Sequence, residues 1–443
     1  MTKHRRKKPL PEPVPDTIVG SLVHDGRCVA RVDGKVVFID GALPGERVAF
    51  EYLRTRRSFD AGRVTAIHEP SPDRVEPRCP HFGVCGGCSL QHMEPGAQLR
   101  AKQDVLLDTF RHIGKVAPEM LLPPLSGPVW GYRAKARLGV KYVERKGRVL
   151  VGFREKYSSF VAELSRCEVL APAVGGRIRE LAALLDRLEA GKRVPQVEVA
   201  VSGPVAVLVF RHLDPLGEKD LERLRDFAAG QDLHVWLQPA GTESAHPLWP
   251  ARSTLAYRLP RQDLEIRFRP TDFTQVNPAM NEKLVGRVLD LLALEPADQV
   301  LDLFCGLGNF TLPMARLAGT VTGVDGEAGL VSRARGNAVL NGIDNATFHC
   351  ADLGAAGPAG DWAQGHYSKV LLDPPRSGAA GVLPVLGASR PERIAYVSCH
   401  PGSLARDAGE LVNRLDYRLA AAGVMDMFPH TAHLESIALF ERR

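Results

Sequence analysis

The second half of the chain, residues 262–443, alternates short apolar runs with helix-forming stretches, and this alternation constrains the fold most. A predicted helix, NPAMNEKLVGRVLDLLAL, leads into the series QVLDLFCG, FTLPMARLA, VTGVDG and GLVSRARGNAVLNG. Two more strands, KVLLDPP and RIAYVSC, precede a helix and the closing strands RLAAAGVMDMF and HLESIALFER. Strands that alternate with helices predict an open, mostly parallel α/β sheet. The two closing strands, with no helix between them, predict an antiparallel edge pair.

The N-terminal region has a different pattern, in which short β-branched runs are separated by Asp-Gly and Pro-Gly pairs. This spacing over residues 14–72 predicts a small all-β barrel. Its loop LRTRRSF presents Arg54, Arg56 and Arg57, and residues 1–70 hold thirteen Lys and Arg against nine Asp and Glu. The basic surplus favours an anionic partner. With GALPGE as the recognisable turn, the region resembles a TRAM domain, which implies an OB-like β-barrel that binds RNA.

Composition excludes several classes of protein. An apolar content of 44% with 24% charged residues is typical of a globular chain, and 443 residues allow roughly two to four domains. Every apolar run is shorter than the roughly 20 residues that span a bilayer. The basic start MTKHRRKK has no apolar segment behind it, so residues 1–13 are predicted to be a basic disordered tail rather than a signal peptide. We therefore expect a cytoplasmic protein that does not contact membranes.

Eight cysteines are present, and a cytoplasmic chain is not expected to pair them, because that compartment keeps thiols reduced. Cys79, Cys85 and Cys88 form a C-x5-C-x2-C cluster, and Cys167 offers a fourth thiol. Four thiolates can hold a zinc ion or an iron–sulfur cluster, and the spacing leaves both open. Since four ligands leave no open iron for chemistry on a substrate, we expect a structural or RNA-shaping role.

The run YRAKARLGVKYVERK, farther along, alternates as a strand does. Arg133, Lys135 and Arg137 therefore share one face. A strand with one basic face suits a phosphate backbone, although a solvated sheet face gives the same pattern.

A ligand site is predicted where the first strand of the α/β region ends. Asp302 is followed by Gly306 and Gly308 and then a helix, which lets the backbone approach a ligand closely. Asp325 ends the next strand and can accept hydrogen bonds from a ribose diol. Bulky NFTLP occupies the position where dinucleotide sites have a third glycine. The loop instead resembles motif I of S-adenosylmethionine methyltransferases.

Cys399 ends a strand in VSCHP, and the neighbouring strand ends in DPPR, so Cys399 and Asp373 are predicted side by side at the donor edge. A helix follows at once, and a helix N-terminus lowers the pKa of a nearby thiol, so we predict Cys399 to be a nucleophile. A thiolate that adds to carbon-6 of a pyrimidine makes carbon-5 able to accept a methyl group. Removal of the carbon-5 proton then requires a general base, for which Glu435 in HLES is the candidate.

Five motifs, FTQVNP, LDLFCGLGNF, DPPR, VSCHP and HLES, stand in the order and spacing of the RNA (uracil-5-)-methyltransferases, which the chain resembles over nearly its whole length. The resemblance implies a multidomain α/β protein with a TRAM barrel at 14–72, a central α+β iron–sulfur and RNA-binding domain at 73–261 and a Rossmann-like methyltransferase domain at 262–443. It implies Cys399 as the nucleophile and Glu435 as the base. The methyl-donor contacts of the family map onto Gln275, Phe304, Asn309, Asp325, Asp352 and Asp373.

Two of these positions depart slightly from the family pattern. Glu is commoner where Asp325 stands, and Asn is frequent at Asp352, but both residues offer a side-chain acceptor. Gln275 has two possible roles, a donor contact or a hydrogen bond to the uracil enolate.

A TRAM domain together with the cysteine quartet resembles the branch that methylates a uridine of 23S ribosomal RNA. This resemblance, rather than the spacing, implies a [4Fe–4S] cluster on Cys79, Cys85, Cys88 and Cys167. Cys28, Cys305 and Cys350 are assigned to packing. We expect a monomer that acts on single-stranded or loop RNA with the uracil flipped out.

Several alternatives stay open. One is 5-methyluridine formation at another ribosomal or transfer RNA site. An amino-methyltransferase would use DPPR to position an exocyclic amine and would need no nucleophile. A cytosine-5 methyltransferase would share the covalent chemistry, and an RNA-binding scaffold would have no turnover.

Overall fold

The computed structural model describes residues 10–355 and 360–443. Of the predicted tail, residues 1–9 lie outside the described residues, and residues 10–13 have no regular secondary structure. Within the two described stretches, no helix is long and apolar enough to cross a membrane.

The N-terminal region is all-β, as its turn spacing predicts, and forms a five-stranded sheet. The closure of this sheet into a barrel stays a prediction. The strands are β1 (Val14–Ile18), β2 (Cys28–Val32), β3 (Lys35–Asp40), β4 (Arg47–Thr55) and β5 (Phe59–Glu69). They are ordered β1-β4-β5-β3-β2. Val37, Ile39, Val48 and Phe50 are fully buried and form its core. Buried residues alternate with more exposed ones along parts of these strands, as expected for a sheet with one face on a core and the other toward solvent.

The middle of the chain contributes a six-stranded sheet, a hairpin and several helices. The helices are α1 (Pro95–Thr109), α2 (Pro172–Gly175), α3 (Ile178–Arg187) and α4 (Glu218–Gln231). The strands are β6 (Met120–Leu121), β7 (Lys135–Val143), β8 (Arg148–Gly152), β9 (Gln196–Ser202), β10 (Val205–Arg211), β11 (His234–Gln238), β12 (His246–Trp249), β13 (Leu255–Leu259) and β14 (Leu264–Phe268). The sheet order is β12-β11-β10-β9-β7-β8, and β13 pairs with β14 alone.

The C-terminal region is the predicted α/β unit. Its helices are α5 (Pro278–Leu292), α6 (Thr311–Ala315), α7 (Ala328–Leu340), α8 (Leu383–Ser389) and α9 (Pro401–Arg414). Its strands are β15 (Gln299–Leu303), β16 (Thr320–Asp325), β17 (Ala346–Cys350), β18 (Lys369–Leu372), β19 (Arg393–Ser398), β20 (Tyr417–Met425) and β21 (Glu435–Arg442). The order β17-β16-β15-β18-β19-β21-β20-β6 confirms the open, mostly parallel sheet.

The closing pair β20–β21 is antiparallel, as predicted, but it does not form the edge. β21 lies between β19 and β20, and β6 pairs in parallel with β20 on the outside. Sequence patterns also missed β17 and α8, because both are short and β17 is only partly buried.

Helix α1 belongs to the middle of the sequence but packs into the C-terminal core, where Leu106 and Phe110 are fully buried. Lys102 of the same helix forms an ion pair of 2.8 Å with Asp426, with side chains 3% and 2% exposed. The hairpin β13–β14 spans the predicted boundary at residue 262, and the domain boundaries stay a prediction.

The buried ion pair generates a stability prediction. Lys102→Met leaves Asp426 buried without its cation, which should lower the free energy of unfolding by roughly 3–5 kcal/mol. Urea unfolding monitored by circular dichroism measures this. Arg111→Ala is the matched control, because the Arg111–Asp108 pair lies 69% and 56% exposed and its loss should cost under about 1 kcal/mol. Equal effects of the two substitutions would contradict the prediction.

Candidate active site

Most of the predicted site residues lie at one edge of the C-terminal sheet, because the parallel strands end at this edge and β21 begins at it. The N–H of Phe304 donates to the carbonyl of Val324 at 2.8 Å, and the N–H of Asp373 donates to the carbonyl of Leu303 at 3.3 Å. These bonds tie each strand end to its neighbour. In spatial order along the edge the residues are Asp352, Asp325, Phe304, Asp373, Cys399 and Glu435.

Cys399 and Glu435 are set opposite each other by strand register. Ser398, the last residue of β19, pairs with Ser436 of β21, and the Ser436 hydroxyl donates to the Ser398 carbonyl at 3.3 Å. The next residues outward are Cys399 and Glu435. Cys399 is half-buried, whereas Glu435 is only 6% exposed. The pattern therefore places a thiol and a desolvated carboxyl side by side.

The electrostatics of this pair are set by burial. Burial, with the charge of Asp373, raises the pKa of Glu435 to about 8, while Arg376 and Lys102 oppose the shift. Burial also raises the pKa of Asp373 to about 7. Burial and then the charges of Glu435 and Asp373 raise the pKa of Cys399 to about 11. At neutral pH the sulfur is a thiol and Glu435 is mostly protonated.

The prediction that the following helix acidifies Cys399 is therefore wrong. Nδ1 of His400 accepts the N–H of Ser403 at 3.1 Å, so the first turn of α9 is capped. At an exposed site, a helix N-terminus stabilises a nearby negative charge by about 0.3–1 kcal/mol. At Cys399 this stabilisation of the thiolate is outweighed by burial and by the charges of Glu435 and Asp373.

The loop after β15 carries the backbone needed for close approach to a ligand. Phe304, Gly306 and Gly308 have φ of 68°, 55° and 85°. Positive φ is costly at Phe304 and is found where a site imposes it. Asp325 fixes the loop, because its carboxylate accepts the N–H of Gly306 at 3.0 Å and that of Glu327 at 2.9 Å. Each oxygen keeps a lone pair with which to accept a ribose hydroxyl.

Asp302, which the sequence placed at this strand end, is instead fully buried one residue before it. One carboxyl oxygen accepts a hydrogen bond from the hydroxyl of Thr311 at 2.5 Å, and the other has no hydrogen-bond partner among the residues that the structure describes. Burial raises the pKa of Asp302 to about 8. Asp302 therefore holds Thr311 in place after the loop and, because it is fully buried, is not accessible to a ligand.

Gln275 and Asn309 occupy a second neighbourhood, between α5 and β13. The amides of Asn309 and Asn281 exchange two hydrogen bonds of 2.9 Å, and the Tyr257 hydroxyl donates to Asn309 at 2.8 Å. Gln275 lines a cavity together with Tyr257 and Asn281. Asp352, at the far end of the edge, is exposed. The predicted donor residues thus lie in two places. Phe304, Asp325, Asp352 and Asp373 lie at the sheet edge, whereas Gln275 and Asn309 lie beside Tyr257 and Asn281.

The four predicted ligand cysteines line one cavity: Cys79, Cys85, Cys88 and Cys167. Burial raises the pKa of Cys85 to about 11 and that of Cys88 to about 12, and it also raises the pKa of Cys167. Among the described residues, no three His, Cys, Asp or Glu side chains are grouped so that they could hold one metal ion.

The three cysteines that we predicted to be packing residues are Cys28, Cys305 and Cys350. Cys28 and Cys305 are buried in the cores, as predicted. Cys350 is exposed at the end of β17, so its assignment to packing is wrong.

The segment that precedes Glu435 is held by the cysteine-bearing region. The N–H of Ser89 donates to the carbonyl of His430 at 2.9 Å. The side-chain oxygen of Gln98 accepts the N–H of His430 at 2.8 Å, and Trp130 stacks on the imidazole with ring centroids 3.9 Å apart. The position of Glu435 therefore depends on residues 89–130.

An open cleft of about 470 Å³ lies over Cys399. All three parts of the chain line it: His24, Asp25, Gly86, Gly87, Ser89, Lys156, Arg376, Cys399, His400, Pro401, Thr431, Ala432, His433 and Leu434. Its size is within the roughly 300–1,000 Å³ of small-molecule sites. A single nucleotide is therefore of suitable size for the cleft.

The predicted basic face of β7 is partly engaged by other groups of the protein. Nζ of Lys135 donates to the carbonyl of Asp272 at 2.8 Å, and burial lowers the pKa of Lys135 to about 8. Arg137 pairs with Glu198 at 2.8 Å. Lys135 is thus engaged by the segment before Gln275 and is not free for a phosphate.

Arg376, the last residue of the DPPR motif, also lies at the site, although the sequence did not lead us to predict a role for it. Nη2 of Arg376 lies 3.1 Å from Nδ1 of His433, and both residues line the cleft. Burial raises the pKa of Cys399 and of Glu435, and the positive charge of Arg376 opposes this rise. Its position directly after an Asp-Pro-Pro at a strand end is the feature of the sequence that could have identified Arg376 as a site residue.

Sequence comparisons relate the chain to known proteins. The family model described as tRNA (uracil-5-)-methyltransferase matches residues 98–355 and 361–443, and the TRAM domain model matches residues 17–51. The chain is 54% identical over 440 residues to 23S rRNA (uracil(1939)-C(5))-methyltransferase RlmD of Alkalilimnicola ehrlichii, covering 99% of each. It is also 54% identical over 444 residues to the protein of the same name from Nitrosococcus oceani, covering 100% of this chain and 99% of that one.

A solved structure has the same fold. It is the Pyrococcus abyssi tRNA (uracil-54, C5)-methyltransferase in complex with S-adenosyl-L-homocysteine, which matches with a TM-score of 0.73 at 22% identity. The match covers 96% of this chain and 99% of that chain. It confirms the multidomain α/β fold with an N-terminal strand domain.

The raised pKa of Cys399 generates a second prediction. The rate of iodoacetamide alkylation of Cys399, followed by peptide mass spectrometry, should rise with pH toward a midpoint of about 11. Because the ionised Glu435 carboxylate raises this pKa, Glu435→Gln should move the midpoint downward and speed alkylation at pH 9 to 10. Exposed Cys350 is the internal control and should not change. A midpoint for Cys399 below about 8.5, the pKa of a free thiol, would contradict the prediction.

Proposed function

We propose that this chain, which belongs to the tRNA (uracil-5-)-methyltransferase family, transfers a methyl group from S-adenosylmethionine to carbon-5 of a uridine in 23S ribosomal RNA. The observation that carries the proposal is the strand register that sets Cys399 opposite buried Glu435, beside Asp373. Relatives at 54% identity are named for uracil 1939, so that uridine is the proposed target. Another ribosomal or transfer RNA site is the alternative.

The thiol is required because carbon-5 of uracil is a poor nucleophile. Sγ of Cys399 gives its proton to water in the open cleft and bonds to carbon-6, and the electrons of the carbon-5–carbon-6 double bond move into an enolate. Carbon-5 of the enolate then bonds to the methyl carbon of S-adenosylmethionine. The bond between that carbon and the sulfonium sulfur breaks, and S-adenosylhomocysteine leaves as a neutral thioether. The open cleft over Cys399 admits a base only after it leaves the stack, which favours single-stranded or loop RNA.

Glu435 completes the reaction as the general base. It accepts the proton from carbon-5, and the electrons of that bond re-form the double bond and expel the Cys399 thiolate. A carboxyl whose burial raises its pKa to about 8 is a stronger base, once ionised, than an exposed one. Arg376 contributes a positive charge that favours the anionic forms of both residues.

The donor site would be the sheet edge. S-adenosylmethionine supplies an electrophilic methyl group on a sulfonium whose positive charge favours an ionised Cys399. Asp325 keeps lone pairs for a ribose diol beside the turn at Gly306, and this observation fits the donor. The residues proposed to hold the donor are Gln275, Phe304, Asn309, Asp325, Asp352 and Asp373.

The cysteine quartet is proposed to hold a [4Fe–4S] cluster. Four thiols that line a shared cavity can hold such a cluster, and the resemblance to the branch of the family that acts on 23S ribosomal RNA favours it over zinc. Its role is structural, because the adjoining Ser89 and Gln98 hold the segment that leads to Glu435.

The organisation of the chain supports a monomer whose partner is RNA. The TRAM region at 14–72, the central region at 73–261 and the methyltransferase region at 262–443 all contribute residues to the one cleft. Ribosomal RNA as the substrate implies work in the cytoplasm.

A trapping experiment tests the function. RNA with 5-fluorouridine at the target should become covalently bound to Cys399 in the presence of S-adenosylmethionine, because fluorine cannot leave as a proton does. Cys399→Ala should give no adduct and lose methylation by at least about 10⁴-fold, the scale of loss for a nucleophile. Denaturing gels and peptide mass spectrometry report both. Persistence of methylation in Cys399→Ala would favour an amino-methyltransferase, and modification of cytidine in place of uridine would favour a cytosine-5 enzyme.

Metal analysis tests the cluster. Protein purified without oxygen should contain about four irons and four sulfides per chain. Cys88→Ala should lose most of both, whereas Cys350→Ala, a matched change of an exposed thiol away from the cavity, should lose neither. One zinc per chain with no sulfide would contradict the cluster.

A further inference from the structure

A second groove lies beside the catalytic cleft, between the N-terminal sheet and the hairpin at residues 153–161. It has a volume of about 540 Å³. Arg27, Arg54 and Phe59 line it from the N-terminal sheet, and Tyr157 lines it from the hairpin. None of these residues has a role in the chemistry proposed above.

The hairpin is attached on both sides, so its tip is held in place. Glu155 pairs with Cys85 as a β-bridge, which ties the hairpin to the cysteine-bearing segment. Lys156 forms an ion pair of 2.6 Å with Asp40 of the N-terminal sheet. The hairpin therefore bridges two parts of the chain and presents Tyr157 at a fixed position.

Tyr157 is unusual for a large aromatic residue. It is 61% exposed and has a φ of 70°, a conformation that costs energy for any residue except glycine. Exposure of an aromatic ring on a strained, anchored turn is typical of a surface that binds a ligand.

The groove is cationic on its other wall. Arg54 is exposed, and in the part of the chain that the structure describes it takes part in no ion pair. Arg27 is paired with Asp25 at 2.5 Å and lies over the ring of Phe38 at 4.9 Å, which fixes its guanidinium. An aromatic ring facing arginines is the combination that binds a nucleobase together with its phosphate.

The groove and the catalytic cleft are neighbours. Asp25 and Lys156 line the cleft, and the residues that line the groove follow them closely in sequence: Arg27 two positions later and Tyr157 one position later. A strand of RNA that leaves the cleft past the hairpin tip would reach the groove next.

We propose that this groove seats an unpaired nucleotide of the same RNA, close to the target uridine, with its base stacked on Tyr157 and its phosphates against Arg54 and Arg27. The inference rests on the proposed function, and it assigns the binding of a flanking nucleotide to a surface away from Cys399. It makes Tyr157 a determinant of RNA affinity and not of the chemical step.

Equilibrium binding of the full-length protein to a 23S ribosomal RNA fragment containing uridine 1939 tests the proposal. Tyr157→Ala should raise Kd by roughly 5- to 150-fold, the effect of losing one base–aromatic stack, whereas Tyr157→Phe should stay within about 2-fold. Arg54→Ala should reduce the slope of log K against log salt by about 0.7, the value for one phosphate contact to a single strand. The rate of methylation at saturating RNA should be unchanged in all three variants.

Phe160→Ala is the matched control, because Phe160 is 71% exposed on the same hairpin but does not line the groove. It should bind RNA as the unaltered protein does. Unchanged affinity of Tyr157→Ala, or equal losses in Tyr157→Ala and Phe160→Ala, would overturn the proposal while the unaltered protein still methylates RNA. If the unaltered protein neither bound nor methylated RNA, the proposed function would fail and this inference with it.

Discussion

The antiparallel insertion of β21 between β19 and β20 is the constraint on which the site depends. Parallel strands end at one edge of the sheet, and a strand that runs the other way begins there. Glu435, the first residue of β21, is therefore carried to the edge where Cys399 follows β19. A parallel β21 would have put the carboxyl at the opposite edge.

The same arrangement brings groups of like charge together at the sheet edge. Buried Glu435 lies beside the half-buried thiol of Cys399 and the half-buried carboxyl of Asp373. Burial and the repulsion between their negative charges raise the pKa of Cys399 and of Glu435. Positive charge on Arg376 and Lys102 offsets part of this repulsion. The segment leading to Glu435 is held by Ser89 and Gln98, so the cysteine-bearing region is part of the catalytic architecture even though its thiols line a separate cavity.

Local pattern was sufficient for much of the fold and of the site. The strand and helix periods of residues 299–325 and 369–414 predicted the parallel sheet, and strand ends predicted that Cys399 and Asp373 would be neighbours. What failed depends on contacts distant in sequence. The places of β6 and α1 in the C-terminal unit, the use of Lys135 by the segment before Gln275 and the partners of Asn309 all arise from such contacts. The pKa of Cys399 was misjudged for the same reason, since burial and Glu435 are tertiary features that outweigh a helix next to it in sequence.

The central claim is that Cys399 forms a bond to the pyrimidine and that Glu435 releases it. The most direct measurement is peptide mass spectrometry of Glu435→Gln after incubation with S-adenosylmethionine and unmodified target RNA. We expect a nucleotide that already carries the new methyl group to remain attached to Cys399. Release of fully methylated RNA at the rate of the unaltered protein, with no adduct on Cys399, would contradict the account.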